Sequence, residues 1–190
     1  DEMIDFLKKH CPGTEIIPIS GKNGTNMDKW ADYVLNDSAK LKQVSIDMDK
    51  FVAAQTMLIW YNRKLSAESI NGKKDMNIFV SDFLELVKEG VSKTGGNIPH
   101  LKIFANSGDD YTKVSLTGID CEADFARKMK TETDNLKVII NARAASSTDA
   151  IDSIMHEALL TAAKKSNLST NVFSTECFTV MDKVNEVGGH

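Results

Sequence analysis

A chain of 190 residues has room for one sizeable domain or one and a part. With 42% hydrophobic and 26% charged residues it is composed as a folded globular protein, which excludes disorder as the governing state. No apolar run approaches the ~18 residues of a membrane-spanning helix, and a net charge of −4, from 23 basic and 27 acidic side chains, gives no overall electrostatic footprint for nucleic acid. With no signal-peptide pattern at the front, the expectation is a cytoplasmic protein with neither a membrane nor a nucleic-acid partner. Three cysteines, Cys11, Cys121 and Cys177, are odd in number and far apart, so they do not read as a disulfide framework. The chain opens at Asp1 inside a helical pattern and without an initiator Met, which reads as the start of a fragment.

Residues 1 to 10 carry acids at the front, Lys8 and Lys9 at the back, and Met3, Ile4 and Leu7 on one face. This is a short amphipathic helix, stopped near Pro12 and Gly13. The apolar run Ile16, Ile17, Pro18, Ile19 is brief, β-branched and bounded by turn residues, as a buried strand would be. A loop, Ser20 to Gly24, leads into a helix whose apolar Met27, Trp30, Ala31, Val34 and Leu35 fall on one face. Thr25 is the expected N-cap, with Asp28 near the positive end of the helix dipole. Such an αβα unit cannot cover its own strand on both faces, so its neighbours are expected upstream.

Residues 36 to 46 lose periodicity and read as a linker. Asp47 to Ala54 suits a helical turn or two, and a strand is expected from about Thr56 to Ser66. Asn71-Gly72 belongs to a polar connector. From Asp75 to Thr94, Phe79, Val80, Phe83, Leu84, Val87 and Val91 mark one helix, stopped by Gly95-Gly96. Ile98 to Ala105 alternates, with Leu101, Ile103 and Ala105 on one face and His100, Lys102 and Phe104 on the other. The cluster Asn106 to Asp110 turns the chain into a partner strand, Tyr111 to Thr117, with Val114 and Leu116 inward.

A short helix is expected near Glu122 to Lys130, then a strand, Leu136 to Ala144, with Leu136, Val138, Ile140 and Ala142 opposed to Lys137, Ile139, Asn141 and Arg143. Ser146 to Thr148 cap a helix carrying Ile151, Ile154, Met155, Ala158, Leu159 and Ala162 in phase. Asn171 to Val180 reads as a last strand, followed by an exposed tail. From residue 56 onward the order is that of an α+β, ferredoxin-like split βαβ domain with one additional strand and an antiparallel sheet, helices lying on one face.

The Ser20-Gly21-Lys22 loop between a strand and a helix, taken with the phrases IDMDKFVAAQTMLIWYN, IPHLKIFA, KVSLTG and VIINARAASSTDAID, resembles the C-terminal region of P-loop GTPases of the CobW/HypB/UreG type. The resemblance covers most of the chain through many loosely matched positions. It implies that residues 1 to 40 end a P-loop GTPase domain and that residues 45 to 185 form a ferredoxin-like C-terminal domain. It further implies that Ser20, Gly21 and Lys22 are the guanine-contacting loop, Gly21 standing where the family usually has Ala. The implied parent is a metallochaperone that couples GTP binding and hydrolysis to delivery of a metal or metallocofactor, in some cases linked to cobalamin. GTP and Mg belong to that intact parent. The implied partners are the missing N-terminal GTPase domain and a client metalloprotein or cofactor-dependent enzyme, and a homodimer stays open.

The residues themselves limit what this chain does alone. GxxxxGK[ST] and Asn-Lys-x-Asp are both missing, so the chain by itself should neither bind nor hydrolyse GTP. The four histidines, His10, His100, His156 and His190, are scattered, and HxxxH, HExxH and CxxC do not occur. His100 reads as a surface or domain-interface residue and Cys177 as a small buried hydrophobe. Arg143 could hold a phosphate or carboxylate, or simply pair with an acid on a solvated face. Trp30 and Trp60 read as core or interface anchors, and Arg127, Lys128 and Lys130 as a solvated helix face. The open face of the sheet, with His100, Lys102 and Arg143, is the expected contact surface for a client. The alternative is a nucleotide-independent regulatory or oligomerisation module of the same fold.

Overall fold

The computed structural model describes residues 2–36 and 58–180, with the single positions 47, 50, 53 and 182. Of the linker expected over 36–46, Asn36 is the last residue of the second helix and the rest lies outside the described residues, as do most of the turn expected from Asp47 to Ala54 and all of the tail expected from residue 182 except that residue. The chain divides into two compact units, Asp1–Ile46 and Asp47–His190.

In the first unit, α1 spans Glu2–His10 and α2 spans Met27–Asn36. The chain leaves α1 through a turn in which Gly13 takes φ 81, a conformation that suits glycine. The strand expected at Ile16 to Ile19 is not formed. A strand exists through ladder bonds to a neighbour, and no described segment pairs with residues 14–20. Neither helix buries a residue. Met3, Phe6, Trp30, Tyr33, Val34 and Leu35 all stand exposed, so Trp30 is not a core residue.

The second unit runs β1 (Ile59–Ser69), α3 (Met76–Lys93), β2 (Asn97–Ser107), β3 (Asp110–Leu116), β4 (Asp124–Arg127), β5 (Asn135–Ala145), α4 (Thr148–Lys165) and β6 (Leu168–Phe178). It is an α+β fold built on a six-stranded antiparallel sheet, ordered β4-β3-β2-β5-β1-β6. Period-2 alternation puts one row of each central strand into the core. Tyr61 and Leu65 of β1, Leu101 and Ile103 of β2, and Leu136 and Ile140 of β5 are buried against Phe79, Phe83 and Val87 of α3 and Met155, Leu159 and Ala162 of α4. Gly90 lets the two helices approach, since a Cβ there would stand 2.6 Å from Ile154 Cγ2.

Local chemistry fixes the helix ends. Asp75 caps α3 by accepting from Asn77 N at 2.9 Å, and Ser147 caps α4 by accepting from Ala150 N at 3.3 Å. After α4 the chain turns at Asn167, whose φ of 49 is the left-handed conformation common past a helix end. Between β2 and β3 the two-residue loop Gly108-Asp109 has Gly108 at φ 60, as hairpin turns demand.

Two sequence expectations need correction. The segment expected as a helix near Glu122 to Lys130 is instead β4, so the sheet has six strands and not five. The edge of β3 supplies an unpaired ladder that this short segment completes, while Phe125 packs against the core; tertiary pairing outweighs the local helical pattern. The final strand begins at Leu168, three residues before the expected Asn171, because it pairs with β1 as far as Ser69.

Candidate functional site

Two places carry the residues singled out in the sequence. The first is the loop Ser20 to Asn26. Gly24 N donates to Ser20 O at 2.9 Å and Ser20 N to Thr25 O at 3.1 Å, closing a tight turn, and Asn26 Nδ2 fastens it to Pro18 O at 2.8 Å. Thr25 does not cap α2: its hydroxyl donates to Asn23 Oδ1 at 2.7 Å, so it is turned away from the helix amides. Gly24 (φ 77) and Asn26 (φ 54) take left-handed conformations, which explains a Gly and an Asn at these positions. Gly21, Lys22 and Asn23 project into solvent, and a Cβ at Gly21 would meet nothing within 4 Å. An alanine would therefore fit at position 21. The Ser20 hydroxyl and the Gly21 N–H have no hydrogen-bond partner among the described residues, so the loop presents a donor pair of the kind a base edge could accept.

The second place is the face of the sheet opposite α3 and α4. Strand register sorts it into rows. Phe178, Trp60, Arg143 and His100 lie side by side on β6, β1, β5 and β2. The Arg143 guanidinium covers the Trp60 ring, and Phe178 stacks beside Trp60 with centroids 6.1 Å apart. In the next row Asn62 Nδ2 donates to Glu176 Oε2 at 3.2 Å, and Asn141 Nδ2 donates to Asn62 Oδ1. The third row runs Ser174, Lys64, Ile139, Phe104 and Lys113. A shallow depression lined by Asn62, Lys64, Ile139, Asn141, Ser174 and Glu176 opens here. Burial, with the positive charges of Lys102 and Arg143, lowers the pKa of His100 below its ordinary value, so the imidazole is neutral at pH 7.

A polar cluster lies on the helix side. Arg63, 5% exposed, pairs with Asp152 at 3.2 Å and donates through Nε to Thr175 Oγ1 at 2.9 Å. Cys177 donates its thiol to Thr148 O at 3.4 Å, and burial followed by the Asp152 and Asp149 carboxylates pushes it up to about 11. A thiol held protonated at neutral pH is a poor nucleophile or metal ligand. Among the described residues no group of three or more His, Cys, Asp and Glu could hold a metal ion. His10 Nδ1 donates to Phe6 O at 2.8 Å and its ring stacks on Phe6, and His156 is exposed on α4.

Two structural polar centres escaped sequence reasoning. Asn77, in the first turn of α3, joins Thr112 of β3 and Met129 beyond β4 through buried hydrogen bonds. Asp110 accepts from Lys130 N at 2.8 Å, Thr131 N at 3.0 Å, Thr131 Oγ1 at 2.9 Å and Arg127 Nη2 at 3.0 Å. Those bonds, the Lys130 amide foremost, hold its carboxyl well below the usual carboxylate range. Arg127 is thus paired at the sheet, not on the solvated helix face expected for it, and it lies 3.8 Å over the Tyr111 ring.

No protein-family model matches the chain, and no curated protein matches it. Among solved structures it is similar to a hydantoinase/carbamoylase family amidase from Burkholderia ambifaria, at 8% identity and TM-score 0.38, over 72% of this chain and 34% of that one. It is also similar to AtUAH in complex with glyoxylate, at 12% identity and TM-score 0.35, over 68% of this chain and 31% of that one. The chain spans about a third of the length of each. At those scores and identities neither the fold nor the activity of these neighbours transfers to it.

Proposed function

We propose that this chain is the C-terminal part of a CobW-like P-loop GTPase. In this reading residues 1 to about 40 complete the nucleotide-binding domain, with Ser20, Gly21 and Lys22 as its guanine loop, and residues 45 to 185 recognise a client. The observation that supports it most is the first unit: two amphipathic helices that bury nothing, with Trp30, Tyr33, Val34 and Leu35 exposed, flank an open Ser-Gly-Lys turn. Such faces suit helices that pack on a sheet supplied by the rest of a larger α/β domain. Groups for phosphate and Mg would lie in that domain, since GxxxxGK[ST] does not occur here. GTP binding and hydrolysis in the parent would drive delivery of a metal or metallocofactor to a metalloprotein or cofactor-dependent client.

For the second unit we favour a ferredoxin-like split βαβ plan. In support, β6, β1, β5 and β2 lie side by side and antiparallel, with α3 joining β1 to β2 and α4 joining β5 to β6. The hairpin strands β3 and β4 would then be an insertion that widens the sheet beyond β2.

One observation favours the alternative, a nucleotide-independent oligomerisation module. β6 is an 11-residue edge strand with Val172 and Phe173 exposed, a ladder open to a second strand. Sequencing the reading frame upstream of the Asp1 codon separates the two readings. GxxxxGK[ST] and Asn-Lys-x-Asp in one continuous frame support the GTPase, and a start codon next to Asp1 contradicts it.

A further inference from the structure

The open sheet face has an apolar centre ringed by cations. Phe104 and Ile139, 38% and 47% exposed, are register partners on β2 and β5. Lys113 is the cross-strand partner of Phe104 and Lys64 that of Ile139. Lys102 and Lys137 stand two residues along the same strands on the same face, where the pleat brings alternate side chains together. All four lysines are exposed, and none makes an ion pair or side-chain hydrogen bond among the described residues. The same face also carries Glu176, which accepts from Asn62, Glu68, two residues along β1 from the Lys137 partner Ser66, and Asp124, the register partner of Ser115 beside Lys102; the four lysines with Arg143 outnumber them. A chain with net charge −4 thus concentrates positive charge on one face.

An apolar centre inside a charged rim is the anatomy of a protein docking patch. We propose that the Phe104/Ile139 patch and its ring of Lys64, Lys102, Lys113 and Lys137 dock an acidic protein segment that carries a large apolar anchor. The inference names the chemistry of the client in the function proposed above and rests on that reading only in taking this face as the docking surface. Charge complementarity selects the occupant: carboxylates of the partner meet the four ammonium groups while its anchor covers Phe104 and Ile139. A second copy docking through this face would bring two cationic rings together and is repelled. Single-stranded nucleic acid would need free aromatic faces for stacking. Two of the rings on this side are already covered, Trp60 by Arg143 and Tyr111 by Arg127, and exposed Phe104 by itself is not the run of platforms on which successive bases stack.

The test is selection of a random 12-residue peptide library, displayed on phage, against the full 190-residue chain, with a dT12 oligonucleotide as competitor. Recovered peptides are expected to carry an excess of Asp and Glu with a Leu, Phe or Trp among them. Their affinity should fall at least about tenfold in Lys64→Glu/Lys113→Glu, and separately in Phe104→Ser. All three positions lie on the solvent side of the sheet, and unchanged denaturation midpoints would show the variants folded. No enrichment, peptides without acidic excess, or binding indifferent to both variants would overturn the proposal. Displacement by dT12 at lower concentration than by the peptides would replace the protein partner with nucleic acid. None of these results bears on guanine binding by the parent, which is measured separately.

Discussion

Removing Asn77 is expected to be among the costliest polar substitutions in the second unit. The residue is 9% exposed, and its partner Thr112 is fully buried. Asn77 Oδ1 accepts from Thr112 Oγ1 at 2.5 Å and from Met129 N at 3.1 Å, while Nδ2 donates to Met129 O at 3.0 Å. Asn77→Ala leaves the Thr112 hydroxyl without its acceptor and Met129 O without its donor; Met129 N keeps Thr112 Oγ1 at 3.0 Å. Two orphaned buried groups at about 1–3 kcal/mol each give a loss of about 2–6 kcal/mol, a large part of a typical total of about 5–15 kcal/mol. Thr112→Val removes a donor and leaves Asn77 its other partners, so it should cost only about 1 kcal/mol. In the double variant the unsatisfied hydroxyl no longer exists, but Met129 N loses both acceptors, so the two couplings oppose each other and the loss should stay near the sum of the single losses. Urea unfolding followed by Trp60 fluorescence in a Trp30→Phe background measures all three. An Asn77→Ala cost below about 1 kcal/mol, or a Thr112→Val cost as large as that of Asn77→Ala, would refute the network as described.

Thiol alkylation at pH 8 should modify Cys11 and Cys121, both exposed, roughly a hundredfold or more faster than Cys177, whose thiol is pushed up to about 11; comparable rates by mass spectrometry would contradict its placement. For His100 the folded pKa lies below the unfolded value, so its contribution to stability is present above about pH 6.5 and is lost as pH falls through the folded pKa. Replacing it with Gln should flatten the stability profile between pH 7 and 5, measured as thermal midpoints. Asp110→Asn should selectively increase amide exchange at Lys130 and Thr131, whose N–H groups the carboxylate holds; unchanged protection there would count against the anchoring role of this carboxylate.

How much of this was legible depended on whether a residue's environment was set locally. β2, β3 and β5 were readable because alternation over seven or more residues has one solution, and α3 and α4 because their apolar stripes are long and capped. The side chains of the open face, His100, Lys102, Phe104 and Arg143, followed from the same alternation. β4 was not readable: four residues carry too little period, and the edge of β3 decides their state. The run at Ile16 to Ile19 has strand composition but no described partner to pair with, since sequence records propensity and not neighbours. Asn77 and Asp110 were missed because a polar residue in a first helical turn or at a hairpin usually faces solvent. Only the insertion of residues 124–131 against them buries Asn77 and ties down the Asp110 carboxylate. The Lys ring was visible piecemeal, but its closure around Phe104 and Ile139 required the strand register.

The most direct measurement is nucleotide binding by the protein made from the whole reading frame that contains this chain, using fluorescent GTP and ATP analogues. If Ser20 to Lys22 hold guanine, GTP should bind at least about tenfold more tightly than ATP. Gly21→Ala should leave that preference intact, since a Cβ there meets nothing within 4 Å. Ser20→Ala and Gly21→Pro, which remove the hydroxyl and the N–H, should each erode the preference several-fold, at about 1–3 kcal/mol per lost hydrogen bond. Equal affinity for GTP and ATP, or a guanine preference untouched by both variants, would contradict the assignment of this loop.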